Sequence, residues 1–61
     1  MQRYIRADGE VFESDKGGLR YYVKVNERFS YFYDYASSLD FTRKLDERGV
    51  DYVVGSVSHT V

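Results

Sequence analysis

The sequence predicts an α+β fold in which an antiparallel sheet carries one helix on one face. Residues 1–35 contain short segments rich in aromatic and β-branched residues that alternate with period two, as β-strands do. Residues 37–50 have helix-capping signals at both ends instead. The apolar side of a helix and one face of a sheet can bury one another. We therefore expect the helix to pack on the sheet in one small domain spanning residues 1–61.

Turn signals divide the first part of the chain into four strand segments. Asp8-Gly9, the two glycines within 15–18 and the Asn-led segment 25–28 are typical of tight connections. Between them stand RYIRA, VFES, LRYYVKV and FSYFYDY. Such short connections predict a four-stranded antiparallel meander.

The segment SSLDFTRKLDERGV predicts the helix. Ser37 followed by Asp40 resembles a capping box, and Gly49 stands where a left-handed residue ends a helix. Phe41 and Leu45 form a narrow apolar stripe along it.

Residues 51–61 predict a fifth, C-terminal strand in which Gly55 marks a bulge or a close approach. Pairing this strand antiparallel with the first strand gives the order 5-1-2-3-4. Pairing it parallel with the fourth gives 1-2-3-4-5. Both orders remain open from the sequence.

The register of the first two hairpins follows from their turns. A two-residue turn at Asp8-Gly9 pairs Ile5 with Phe12, and the next loop pairs Phe12 with Tyr21. The third hairpin has two solutions, and we expect a three-residue loop that pairs Val25 with Phe29 rather than a two-residue loop that pairs Val25 with Arg28. The helix-covered face is then predicted to carry Ile5, Phe12, Leu19, Tyr21, Val23, Val25, Phe29, Tyr31, Tyr33 and Tyr35.

The opposite face is predicted to be exposed and to hold the candidate partner-binding residues. These are Tyr4, Arg6, Val11, Arg20, Tyr22, Lys24, Phe32 and Asp34. Phe32 and Tyr22 would form an exposed apolar patch of the kind that marks protein-binding surfaces. Arg20 would lie between the carboxylates of Glu13 and Asp34, as favourable cross-strand neighbours do.

The sequence gives no signal for an enzyme, a cofactor or a metal site. His59 is the only histidine, and Ser58 beside it points to the opposite side of a strand, so the two cannot form a catalytic triad along it. The early carboxylates match neither a calcium loop nor a paired acid/base site. We therefore expect a protein that is not an enzyme.

Charge makes nucleic acid a less favoured partner. The net charge of −1 and the pI of about 5.7 argue against general DNA coating. The bases of a single-stranded nucleic acid could still stack on Tyr22 and Phe32. The cations beside these rings are Arg6, Arg20 and Lys24, and this hypothesis remains the alternative.

Small size and cysteine content set the expected context. A chain of 61 residues without cysteine or a metal cluster is marginally stable, and its eleven aromatic rings or a homodimer contact are the expected remedies. The absence of cysteine fits a reducing compartment, and QRYIRADGE has no apolar run, so we expect a cytoplasmic protein with no signal peptide and no membrane partner.

Size and composition are similar to those of the very small proteins made by phages and mobile elements, which commonly bind and inhibit a larger host protein. By this analogy we expect a regulator or inhibitor that docks through the Tyr22/Phe32 face or through the open edge of the fourth strand. A homodimeric structural module is a further alternative.

Overall fold

The computed structural model describes residues 1–60, and it contains five strands and one helix in this part of the chain. They are β1 (Gln2–Arg6), β2 (Val11–Ser14), β3 (Tyr21–Val25), β4 (Arg28–Phe32), α1 (Tyr35–Arg48) and β5 (Val53–His59). The strands form one curled antiparallel sheet, and α1 packs on β3 and β4. The predicted α+β class is confirmed. The predicted final strand reached Val61, which lies outside the described residues.

The strand order is β2-β1-β5-β3-β4, so both predicted orders are wrong and the meander is not confirmed. The β1–β2 and β3–β4 hairpins form, and β5 pairs antiparallel with β1 as one of the two orders required. However, β5 also pairs with β3, and it therefore separates β1 from β3. In this position β5 gains hydrogen-bonded neighbours on both sides, which a position at the edge of the sheet would not provide.

Residues 15–20 are not a hairpin turn but a connection that leads from β2 at the sheet edge to β3. The Tyr4 hydroxyl donates to the Lys16 carbonyl at 2.8 Å and accepts from the Leu19 N–H at 3.4 Å. The Arg20 carbonyl accepts from the Val57 N–H at 2.7 Å. These long-range contacts fix the segment, and its glycines alone could not reveal them.

The first hairpin differs from its predicted register by one residue. Its loop is three residues long because Gly9 adopts a left-handed conformation, φ 91°, and its N–H donates to the Arg6 carbonyl at 2.9 Å. Tyr4 rather than Ile5 therefore pairs with Phe12. A one-residue shift moves every side chain of a strand to the other face, so Phe12 shares the face of Tyr4.

The third hairpin has a two-residue loop, so the predicted three-residue loop is wrong. Asn26 takes the left-handed conformation, φ 55°, which asparagine tolerates better than most residues do. Val25 therefore pairs with Arg28, and Tyr21 pairs with Phe32. The side chains of β4 point to the faces opposite to those predicted.

These two registers give the sheet an inner, concave face and an outer face that α1 partly covers. By register, the inner face carries Tyr4, Arg6, Phe12, Tyr22, Lys24, Phe29, Tyr31, Val57 and His59. Tyr21 and Val23 lie on the helix side as predicted, but Phe12, Phe29 and Tyr31 do not. Tyr33 and Tyr35, also predicted to be covered, are 51% and 56% exposed.

The core is an aromatic cluster on the inner face. Tyr4 and Tyr22 are buried there with Val57, and half-buried rings pack against them. The rings of Phe12 and Tyr31 stack with centroids 4.3 Å apart. Because Phe12 belongs to β2 and Tyr31 to β4, the two ends of the sheet, this contact shows how far the sheet curls.

Helix α1 begins two residues before the predicted start. Asp34 is its N-cap, since the Asp34 carboxylate accepts the Ser37 N–H at 2.8 Å. This hydrogen bond holds the pKa of Asp34 below its ordinary value. The predicted C-terminal end is confirmed: Gly49 has φ 69°, and the Val50 N–H donates to the Leu45 carbonyl at 3.0 Å in a Schellman motif.

The helix contacts the sheet through small polar residues as well as apolar ones. Ser38 and Thr42 are buried, and their hydroxyls donate to carbonyls three residues earlier on the same helix. Phe41 contacts Phe32 at a centroid distance of 5.4 Å, and Val23 is fully covered. The predicted stripe contained Phe41 but missed Ser38 and Thr42, whose hydroxyls are satisfied within the helix.

Gly55 lies directly beneath the ring of Tyr22, its partner on β3. A Cβ atom at position 55 would approach the tip of this ring more closely than 3.0 Å. The ring belongs to a buried side chain and cannot swing into solvent. The close approach predicted at Gly55 is confirmed.

We expect Gly55→Ala to lower the free energy of unfolding by about 1–3 kcal/mol, because the added methyl group overpacks the core. Gly17→Ala is the matched control, since nothing lies within 4 Å of a Cβ there and the φ of Gly17 is not left-handed. It should leave stability unchanged or slightly raised. Urea denaturation of both variants measures the difference, and equal midpoints would contradict the close packing of Tyr22 on Gly55.

Candidate functional site

The exposed Tyr22/Phe32 face that the sequence predicts does not exist as one surface. Tyr22 is 4% exposed on the inner face, and Phe32 is half-buried on the outer face, where it contacts Phe41 of α1. The prediction that they share an exposed face is wrong because the two-residue loop at Asn26 reverses the faces of β4. Tyr4, also predicted to be exposed, is 1% exposed.

The remaining predicted site residues are dispersed. Val11 is exposed on the outer face of β2, Arg20 is exposed in the connection, and Asp34 caps α1. The predicted row of charges is not formed, because Glu13 pairs with Arg3 at 3.3 Å instead of with Arg20. Binding roles for these residues stay predictions.

Arg6 and Lys24 do come together, around the ring of Phe29. The Arg6 guanidinium carbon lies 4.0 Å from the centroid of Phe29 and 5.4 Å from that of Phe12, and its Nη1 donates to the Tyr31 hydroxyl at 3.0 Å. The Lys24 ammonium lies 5.5 Å from the Phe29 centroid. Cations so placed are attracted by the ring quadrupole.

The charge of Arg6 is compensated locally. Its side chain is 12% exposed, and its Nε lies 3.5 Å from Oδ2 of Asp8, at ion-pair distance but without a hydrogen bond. Burial acts to lower the pKa of Arg6, but the Tyr31 hydrogen bond and the charge of Asp8 raise it. The Glu10 N–H, at 3.0 Å, is the largest cause that holds the pKa of Asp8 below its ordinary value, and Arg6 adds to it. The Arg6 side chain thus covers the rings of Phe12 and Phe29 on the inner face.

Strand β4 is one edge of the sheet, and alternate residues of it point their backbone groups away from the sheet. In a two-residue hairpin the closing pair, here Val25 and Arg28, exchanges both hydrogen bonds, and such pairs recur at every second residue. The N–H and C=O groups of Phe29 and Tyr31 therefore point outward. The open edge predicted for the fourth strand is found at β4.

Strand β2 is the other edge. The Arg6 N–H donates to the Glu10 carbonyl at 2.8 Å, so Phe12 bonds to β1 as well. The backbone groups of Val11 and Glu13 therefore point outward.

Side chains of the two edge strands meet because the sheet curls, and we call the opening between β2 and β4 the β2–β4 seam. Phe12 and Tyr31 stack across the seam, and Arg6 of β1 bonds to Tyr31 behind it. Within residues 1–60 no strand ladder joins β2 to β4. Backbone donors and acceptors of both strands thus border one opening lined by aromatic rings.

The sequence missed the seam for a specific reason. Only the pairing of β5 with both hairpins places β2 and β4 at opposite ends of the sheet, and no local signal reports that pairing. The open edge of β4 alone was visible, in a segment without proline or lysine to block an added strand.

A second exposed feature lies on the outer face beyond α1. Ile5 and Val11 pair with each other there, and Val54 lies further along β5. They are 36%, 54% and 43% exposed. Single exposed apolar residues are ordinary, and these three form only a thin strip with serines between them.

His59 lies at the rim, where it contacts the ring of Tyr4 edge-on at 5.2 Å and bonds to Gln2. Ser58 pairs with Ile5 on the other face, as the strand alternation predicted. No group of three or more metal-ligating side chains occurs in the described part of the chain. Its helix, of 14 residues, is too short and too polar to cross a membrane.

No family model, curated protein or solved structure matches this chain. The predictions of a non-enzymatic protein and of a protein partner therefore stay predictions. The structural feature that is relevant to a protein partner is the β2–β4 seam.

We expect Arg6→Ala to destabilise the fold by about 2 kcal/mol, because it removes a cation packed on two rings and leaves the Tyr31 hydroxyl without its donor. The control is Arg3→Ala, whose side chain is 65% exposed in its ion pair with Glu13. That change should cost less than about 0.5 kcal/mol. Thermal unfolding of the two variants gives the comparison, and equal losses would refute the covering role of Arg6.

Proposed function

We propose that this chain is a non-enzymatic binding module that regulates or inhibits a larger host protein, and that it docks through the β2–β4 seam. The observation that carries this proposal is that both edges of the sheet leave backbone donors and acceptors unpaired beside one aromatic opening. Main-chain groups at a sheet edge give affinity for an added strand, and neighbouring side chains give specificity.

The small size of the molecule suits contact along a strip of its surface. The Cα extents are 37 × 21 × 16 Å, so a strand edge rather than a deep cleft is the contact that such a domain can offer. A small domain that adds to a strand or loop of its partner acts by occupying it, so regulation or inhibition is the expected result of binding.

The nucleic-acid alternative has weaker support. Arg6 and Lys24 stand beside Phe29, but Arg6 itself covers that ring at 4.0 Å and is paired with Asp8. Bases could not stack on Phe29 without displacing Arg6, and phosphate contacts supply most of the affinity of such proteins. The homodimeric alternative is a possible outcome of the experiments below.

The proposal predicts where a photo-reactive side chain captures the partner. We expect p-benzoylphenylalanine in place of Arg28 or Val11, both exposed beside the seam, to cross-link one protein in a lysate of the cell of origin. The matched control is the same side chain in place of Glu47, which is exposed on α1. The captured protein, once purified, should form a 1:1 complex with the unmodified chain in gel filtration with light scattering.

The salt dependence of the affinity and the position that cross-links distinguish a protein partner from a nucleic acid. A protein complex anchored by backbone bonds and rings should change little in affinity between about 50 and about 300 mM salt, whereas nucleic-acid binding should weaken steeply. Equal capture from the Glu47 position, or a captured species that is nucleic acid, would overturn the proposal.

A further inference from the structure

We propose that the β2–β4 seam accepts a single extended peptide segment of the partner, which becomes a sixth strand antiparallel to both β2 and β4. This inference rests on the proposed function, because it specifies what the partner inserts into the same site. Its basis is the direction of the two edge strands, the alternation of their free backbone groups and the side chains that line the opening.

Strand direction favours one inserted strand over direct closure. Every neighbouring pair in the sheet is antiparallel, so β2 and β4, separated by three strands, run in the same direction. They could close the curled sheet directly only as a parallel pair. A sixth strand between them is antiparallel to each, and it completes an all-antiparallel barrel without an edge.

The free backbone groups alternate in the way that one strand requires. Successive residues of a strand direct their hydrogen-bonding groups to opposite sides. Two residues of the inserted strand can therefore bond to Phe29 and Tyr31, while those between or beside them bond to Val11 and Glu13. Four to five residues of peptide are enough to use all four positions, since β2 and β4 are four and five residues long.

The same pairing fixes which way the side chains of the peptide point. Residues bonded to Phe29 and Tyr31 share the inner face, where their side chains would meet the stacked rings of Phe12 and Tyr31, so we expect small apolar side chains there. Residues bonded to Val11 and Glu13 share the outer face. Glu13 is half-exposed in its ion pair with Arg3, so a lysine or a threonine fits opposite it. The preferred peptide alternates small apolar residues with polar or basic ones.

A second copy of this chain fits the opening less well than a lone peptide. Pairing β4 with β4 of a second copy would bring that copy's β3 and α1 to the place where β2 curls over Tyr31. A single peptide strand brings no further layers with it. The occupant is therefore an extended segment, such as a loop or a terminus of the partner.

The test uses peptides of about nine residues displayed on phage and selected on the immobilised full chain. We expect the enriched peptides to alternate small apolar with polar or basic residues. Their synthetic forms should shift the amide NMR signals of Val11, Glu13, Phe29 and Tyr31 more than those of α1. Overlapping peptides of the captured partner protein should include one that does the same.

Backbone N-methylation decides whether the edges make the contact. The 61-residue chain can be assembled chemically with one N-methyl group at Tyr31 or at Glu13, which keeps each side chain and blocks one outward N–H. Each change should weaken peptide binding at least tenfold. The control is N-methylation at Tyr35, the exposed first residue of α1, whose N–H has no partner within the helix and follows the extended residue Asp34, and it should change affinity less than twofold.

Several outcomes would overturn the inserted strand. Binding that ignores both modifications, or amide shifts confined to the outer strip of Ile5 and Val54, overturns the inserted strand. A dimer of the free chain that only the Tyr31 modification disrupts also overturns it and makes the second copy the occupant. If one modified chain does not fold, the other variant and the NMR shifts of the unmodified chain still decide.

A 1:1 complex with the captured protein but with none of its peptides leaves the proposed function intact and ends this inference. With neither a captured protein nor an enriched peptide, both fail.

Discussion

The insertion of β5 between β1 and β3 is the constraint on which the rest of this structure depends. Each of the two hairpins is local and would be marginal alone. Their rings form one core only because β5 pairs with β1 through Val57 and with β3 through Val54. The same insertion moves β2 and β4 to the two ends of the sheet, and the curl then brings Phe12 of one against Tyr31 of the other.

Aromatic residues supply the burial that so small a chain otherwise lacks. Tyr4 illustrates how a ring with a polar tip serves in a core: its ring stacks on Phe12 at 5.4 Å, and its hydroxyl bonds to both Lys16 and Leu19 of the connection. A buried tyrosine therefore ties the longest connection before the helix to the first strand. Gly55 makes the complementary contribution, since it leaves the space that the Tyr22 ring fills.

Local signals in the sequence predict the strand segments, the end of the helix at Gly49 and the close approach at Gly55. They do not predict loop length to one residue, and Gly9 and Asn26 each shift a register by taking the left-handed conformation. Each shift reverses the faces of a strand, so the predicted faces of Phe12 and Phe32 are wrong. The pairing of β5 with β3 joins residues far apart in the chain, and periodicity carries no information about such partners.

The functional account follows from that topology: the sheet has five antiparallel strands, so its two edge strands run in the same direction and could join each other only as a parallel pair. Amide hydrogen exchange of the free, monomeric chain tests this claim most directly. Exchange should alternate along the edges, fast at Phe29 and Tyr31 but slow at Ser30, while amides on both sides of β5 are protected. Slow exchange at Phe29 and Tyr31 in the monomer would show that the edge of β4 is already covered, and it would contradict the account.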